Sequence, residues 1–68
     1  MKQIRVTVKS NNDMWFKSVN VVMTEREIEI LKDYDNDEYD IVWDYLVSKL
    51  EQMPFPNDDW FVDSIKFN

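Results

Sequence analysis

The spacing of apolar residues changes at Thr24, and that change decides which fold classes remain open to the chain. Before it, Ile4, Val6 and Val8 alternate with Arg5, Thr7 and Lys9, the pattern of a strand with one buried face. The segment "SNND" supplies turn chemistry, and "MWFKSVNVVM" reads as a second strand, so the chain opens on a β-hairpin. After Thr24 the spacing becomes helical. Thr24 and Glu27 match the S/T-x-x-E capping box, and Met23 stands where it can pack on Ile28 as a hydrophobic staple. The helix that starts there is expected to run to about Tyr34, with Ile28, Leu31 and Tyr34 on one side and Glu25, Glu29 and Asp33 on the other.

A second helix is expected from a cap at Asn36 or Asp37 to about Met53. At 100° per residue, Tyr39, Val42, Leu46, Leu50 and Met53 form one stripe with Trp43 and Tyr45 at its edges, while Asp40, Asp44 and Glu51 line the opposite side. The two prolines of "MPFPNDD" make that segment a loop, and "WFVDSIKFN" closes the chain as a third strand. The order ββααβ predicts an α+β fold, residues 1–68 as one domain, with a small antiparallel three-stranded sheet covered on one face by a helical hairpin. The expected core is Ile4, Val6, Val8, Val19, Val21, Ile28, Leu31, Val42, Leu46, Leu50 and Ile65.

With 68 residues and no cysteine, such a core must hold the fold without disulfides. Aromatic residues make up 15% of the chain, which supplies large buried areas per residue and argues against disorder. Glycine is absent altogether, which removes phosphate-cradling loops and leaves Asn and Asp to take left-handed positions. No residue run reaches the ~20 apolar positions of a membrane span, and the alternating first ten residues do not follow the signal-peptide pattern. The expectation is a soluble cytoplasmic protein with no membrane partner.

Chemistry is narrowed in the same way. Without histidine or cysteine, the serines at 10, 18, 48 and 64 have no ordinary activating base, and zinc has none of its usual ligands. Paired carboxylates can act as acid and base, but a domain this small has little room for a water-excluding cleft around them. The chain is therefore expected to be no enzyme and to need no cofactor or metal. Calcium is the metal that comes nearest to fitting. "DYDNDEYDIVWD" puts Asp33, Asp35, Asp37 and Asp44 at positions 1, 3, 5 and 12 of an EF-hand loop. Against that stand Glu38 where the turn needs glycine, Asp44 where a bidentate Glu is usual, and a helical stripe beginning inside the would-be loop.

Charge is the remaining functional signal. Residues 33–68 carry ten acidic and two basic side chains, net −8, whereas residues 1–32 carry six basic and four acidic, net +2. "DYDNDEYD" alone, Asp33 to Asp40, holds five carboxylates and no cation. Glu29 and Asp33 on the first helix, Asp35 and Asp37 in the connector, and Asp40, Asp44 and Glu51 on the second helix are the candidate partner-binding carboxylates. Residues at i and i+4 lie ~6 Å apart along a helix, and like charges there cost a few tenths of a kcal/mol. A cationic groove built for nucleic acid would accept that charge density.

The dipeptides Trp15-Phe16 and Trp60-Phe61 offer a second surface. Strand neighbours point to opposite faces, so one ring of each pair is expected outside, and Phe16 and Trp60 join the candidate site beside Arg5, Lys9 and Lys17. A chain of charge −6 would repel nucleic acid, so a protein contact or a homodimer is the expectation for this face, not direct nucleic-acid binding. In size and charge the chain resembles the small acidic inhibitors made by phages and other mobile elements, including DNA mimics and anti-CRISPR proteins. No sequence motif carries that resemblance. The expected function is a non-catalytic acidic module, an inhibitor or regulator that presents a carboxylate-rich helical face to a basic, nucleic-acid-handling protein. The alternative is a structural or assembly protein that self-associates through its open sheet face.

Overall fold

The computed structural model describes residues 1–67, in the order β1 (Lys2–Ser10), β2 (Phe16–Met23), α1 (Glu25–Lys32), α2 (Tyr39–Glu51) and β3 (Trp60–Phe67). Asn68, the last residue of the expected third strand, lies outside the described residues. The ββααβ order and the antiparallel sheet are those read from the sequence. In the sheet order β2-β1-β3, β1 is central and antiparallel to both neighbours. β2 and β3 therefore run in the same direction, and the two helices form the crossover between them. One crossover covers one face, and the other face is left open.

Register explains which side chains are buried. Ile4, Val6 and Val8 of β1 stand opposite Val21, Val19 and Lys17 of β2, and opposite Phe67, Ile65 and Val62 of β3. The buried cluster comprises Ile4, Val6, Val8, Val21, Met23, Ile28, Ile30, Leu31, Val42, Leu46 and Leu50. Two expected members, Val19 and Ile65, are only half-buried. Both flank Val6 in the same cross-strand row, on the two edge strands, and pack against the buried cluster from its margin. Met23 and Ile30 are additional core members. Ile30 sits a quarter turn round α1 from Leu31, so the buried arc of this helix is broad enough to meet both the sheet and α2.

The capping box is present as expected: Thr24 Oγ1 accepts the Glu27 N–H at 3.1 Å, and the Glu27 carboxylate accepts the Thr24 N–H at 2.8 Å. The end of α1 differs from expectation. Asp33 leaves the helix with φ −116° and ψ 91°, its carboxylate accepts the Asp35 N–H, and Tyr34 is 81% exposed instead of sharing the buried face. An aspartate that bonds its own backbone two residues on competes with helix continuation. The expected cap of α2 is also displaced. Asn36 Oδ1 accepts the Glu38 N–H at 2.8 Å and so caps a turn leading into the helix, while the N-cap is Glu38, without a side-chain cap bond. Helix α2 ends at Glu51, short of Met53, because a residue before proline is driven out of the helical region.

Two features hold the hairpin and the sheet end. Asp13 takes φ 59° in the β1–β2 turn, an aspartate in the left-handed region where many chains use glycine. In β3 the register shifts opposite Thr7/Val8, which leaves Asp63 as the extra residue of a bulge. The bulge keeps Trp60, Val62, Ile65 and Phe67 on one face despite the polar pair Asp63-Ser64 between them.

Candidate functional site

The acidic side chains do not form one continuous ridge. On α1 they are engaged locally: Glu29 lies 3.8 Å from Lys32, Glu25 lies 3.5 Å from Lys2, and Glu27 accepts the Thr24 N–H. In the connector, Arg26 reaches across to Glu38 at 2.9 Å, so the acidic run does have one compensating cation, supplied from α1. Of the candidate carboxylates, Asp33, Asp35, Asp37, Asp40, Asp44 and Glu51 are exposed and in no ion pair among the described residues, as are Asp58, Asp59 and Asp63 outside the candidate set. Asp33 stands at the C-terminal end of α1, where the helix dipole disfavours a carboxylate, while Asp40 lies in the first turn of α2, where the dipole favours one. The helix dipole therefore accounts for Asp40 but not for Asp33, whose carboxylate instead accepts the Asp35 N–H that turns the chain out of α1.

On α2, Asp40, Asp44 and Glu51 fall on the side opposite buried Val42, Leu46 and Leu50. Beside this acidic line the helix also exposes Ile41, at 70%, and Tyr45. Neither was part of the sequence-derived site. A polar face that leaves an isoleucine uncovered is the available sequence signal for it, since Ile41 falls outside the Val42, Leu46, Leu50 stripe. The Lys49 ammonium lies 4.7 Å from the Tyr45 ring and donates to the Val22 carbonyl at 2.7 Å, which ties this edge of α2 to β2.

The two aromatic candidates lie on opposite sides of the sheet. Phe16 pairs with Lys9 and is 73% exposed on the open face. Trp60 pairs with Ser10, a buried residue, and so belongs to the covered face. The open-face ring of its dipeptide is Phe61, which also pairs with Lys9 and is 41% exposed. Lys17 likewise pairs with Val8 and does not share a face with Arg5 and Lys9. Strand parity counted from Ser10, and not exposure guessed from ring size, separates these residues.

Trp60 instead meets the acidic helix. With Val47, Glu51 and Asp58 it lines an open cavity of about 300 Å³ at the C-terminal end of α2. Phe55 makes an edge contact with the Trp60 ring, centroids 5.4 Å apart, and stacks on Trp15 at 5.8 Å. The "MPFP" loop thus fixes the tryptophan that closes one end of the acidic line. Two carboxylates and an indole can hold a cationic side chain by charge-assisted hydrogen bonds and cation–π attraction.

The EF-hand spacing is not realised as a loop. Tyr39 already begins α2, so Asp44 lies more than a helical turn inside it, and no group of three or more acidic residues among the described residues could hold a metal ion. No helix among them is long and apolar enough to cross a membrane. Comparison with known proteins finds no matching family model, no matching curated protein and no matching solved structure.

Proposed function

We propose that this chain is a non-catalytic, cytoplasmic protein-binding module, an inhibitor or regulator whose α2 face docks on the basic surface of a nucleic-acid-handling protein. The observation that carries this reading is the distribution of ion pairs. On α1, Glu25 and Glu29 have cations beside them and Glu27 is used in the capping box, whereas Asp33, Asp35, Asp37, Asp40, Asp44 and Glu51 are exposed without a cation among the described residues. Unpaired carboxylates at i and i+4 are slightly unfavourable in isolation and become favourable against a cationic partner. Exposed Ile41 and Tyr45 supply apolar area beside the charges, and the cavity between Glu51, Asp58 and Trp60 would take one lysine or arginine side chain of that partner. Such a surface imitates the phosphates of nucleic acid, as the inhibitors of phages and mobile elements do.

The test is a paired capture from the native host at low salt, with the parent chain and an Asp40→Asn, Asp44→Asn double variant as baits. Proteins held by the parent and lost by the variant should carry basic, nucleic-acid-binding surfaces. Identical sets on both baits would remove the acidic face from consideration.

A further inference from the structure

We infer that the open sheet face is a docking surface for a second copy of this chain, which presents the acidic side of α2 to it. Register fixes the composition of that face: beside the Gln3 and Val22 pair, three rows cross all three strands. Asn20, Arg5 and Lys66 form one row, Ser18, Thr7 and Ser64 the next, and Phe16, Lys9 and Phe61 the third. Arg5 and Lys66 stand directly opposite each other, both exposed, with no ion pair to a described residue. Like charges in that position destabilise a sheet, so internal stability does not select them. Lys9, flanked by two exposed rings, has Asp13 at 3.2 Å as its local counter-charge. The middle row is flat and hydroxylated, with Thr7 Oγ1 and Ser18 Oγ 2.9 Å apart.

This face matches the α2 surface in sign, spacing and apolar content. Four residues along β1 put the Arg5 and Lys66 row ~13 Å from the Phe16, Lys9 and Phe61 row, whose cation is shared with Asp13. On α2, Glu51 lies ~10 Å from Asp44 and ~16 Å from Asp40 along the axis, which brackets that separation. Ile41 and Tyr45 adjoin the carboxylates as Phe16 and Phe61 adjoin the cations. Edge pairing is the competing route to self-association, and both edges are obstructed: the Lys49 ammonium occupies the Val22 carbonyl on β2, and the Asp63 bulge interrupts β3. Because the two complementary faces lie on opposite sides of the molecule, the contact is heterologous and grows into open chains of copies instead of closing as a dimer.

The inference uses the same acidic face as the proposed function, but its test reads self-association with no other protein present, so the two can fail separately. Sedimentation velocity of the parent at low ionic strength should show a sedimentation coefficient that rises with concentration and returns to the monomer value in high salt. An Arg5→Glu, Lys66→Glu variant and an Asp40→Asn, Asp44→Asn variant should each associate more weakly, on the order of five- to tenfold for two exposed charge pairs. Mixed in equal amounts they should form a 1:1 complex and nothing larger, since each retains the face that the other lacks. Phe16→Ser, which leaves the charges in place, provides a second blocked sheet face should the charge reversal unfold. A parent that stays monomeric at low salt overturns the proposal, as does self-association untouched by the Asp40, Asp44 substitutions. Tight binding of a single-stranded oligonucleotide, abolished by Arg5→Glu, Lys66→Glu, would give the face to nucleic acid and overturn it as well.

Discussion

The hydroxyl of Ser10, wholly buried at the end of β1, accepts the backbone N–H of Trp15 at 3.1 Å while the two residues also pair through their main chains. The same oxygen accepts the Met14 N–H at 2.8 Å and donates to Asn12 Oδ1 at 2.9 Å, so one serine satisfies most of a five-residue turn. Replacing Ser10 with alanine leaves the Trp15 N–H without that acceptor and should cost ~1–3 kcal/mol. Chemical denaturation checks this, and an unchanged midpoint would mean that the turn is held by its backbone bonds alone.

Leu46 is fully buried at the centre of the α2 stripe. Leu46→Ala should destabilise by ~2–5 kcal/mol, against a total of ~3–10 kcal/mol for a chain of this length. Much of the protein should then be unfolded at 37 °C by circular dichroism. An unaltered melting temperature would refute the placement of α2 on the sheet.

Phe55 joins Trp15 to Trp60. Phe55→Ala should cost roughly 1.5–3 kcal/mol from lost burial and should shift the tryptophan emission to longer wavelength as water reaches the two indoles. Stability lost without a spectral shift would place the effect elsewhere in the loop.

The reciprocal bonds of Thr24 and Glu27 make a separable local contribution. Thr24→Ala should cost ~1 kcal/mol, equivalent to a fall of ~4–8 °C in melting temperature for a domain of this size. Thermal scans check it, and Thr24→Asp should restore most of the loss because aspartate caps equally well.

The capping box, the strand alternation and nine of the eleven expected core positions were legible in the sequence because each depends on local period or on a spacing of three residues. Tyr34 was not, since helical parity continues past Asp33 while the aspartate side chain has already turned the backbone aside. Val19 and Ile65 were placed by parity, but their half-burial depends on which strands are edges, and strand order is not encoded in any one segment. Ser10 read as part of a polar turn, and its burial follows from the pairing of β1 with both neighbours. The candidate site divided along the same line. The α2 acids were found by helical rotation alone, whereas the ion pair of Arg26 with Glu38 and the meeting of Trp60 with Glu51 bring together residues 12 and nine positions apart across separate elements.

The acidic α2 face as a partner surface is tested most directly by the salt dependence of binding to the captured partner, measured for the parent and for Asp40→Asn, Asp44→Asn. Folding stability should hardly change, because relief of i, i+4 repulsion, a few tenths of a kcal/mol, offsets the lost dipole contribution of Asp40, ~0.3–1 kcal/mol. The parent should bind more tightly than the variant at low salt, and the gap should narrow as salt screens exposed charges beyond ~8 Å at physiological ionic strength. Equal affinity of parent and variant at low salt would leave the carboxylates as a solvated face with no part in binding.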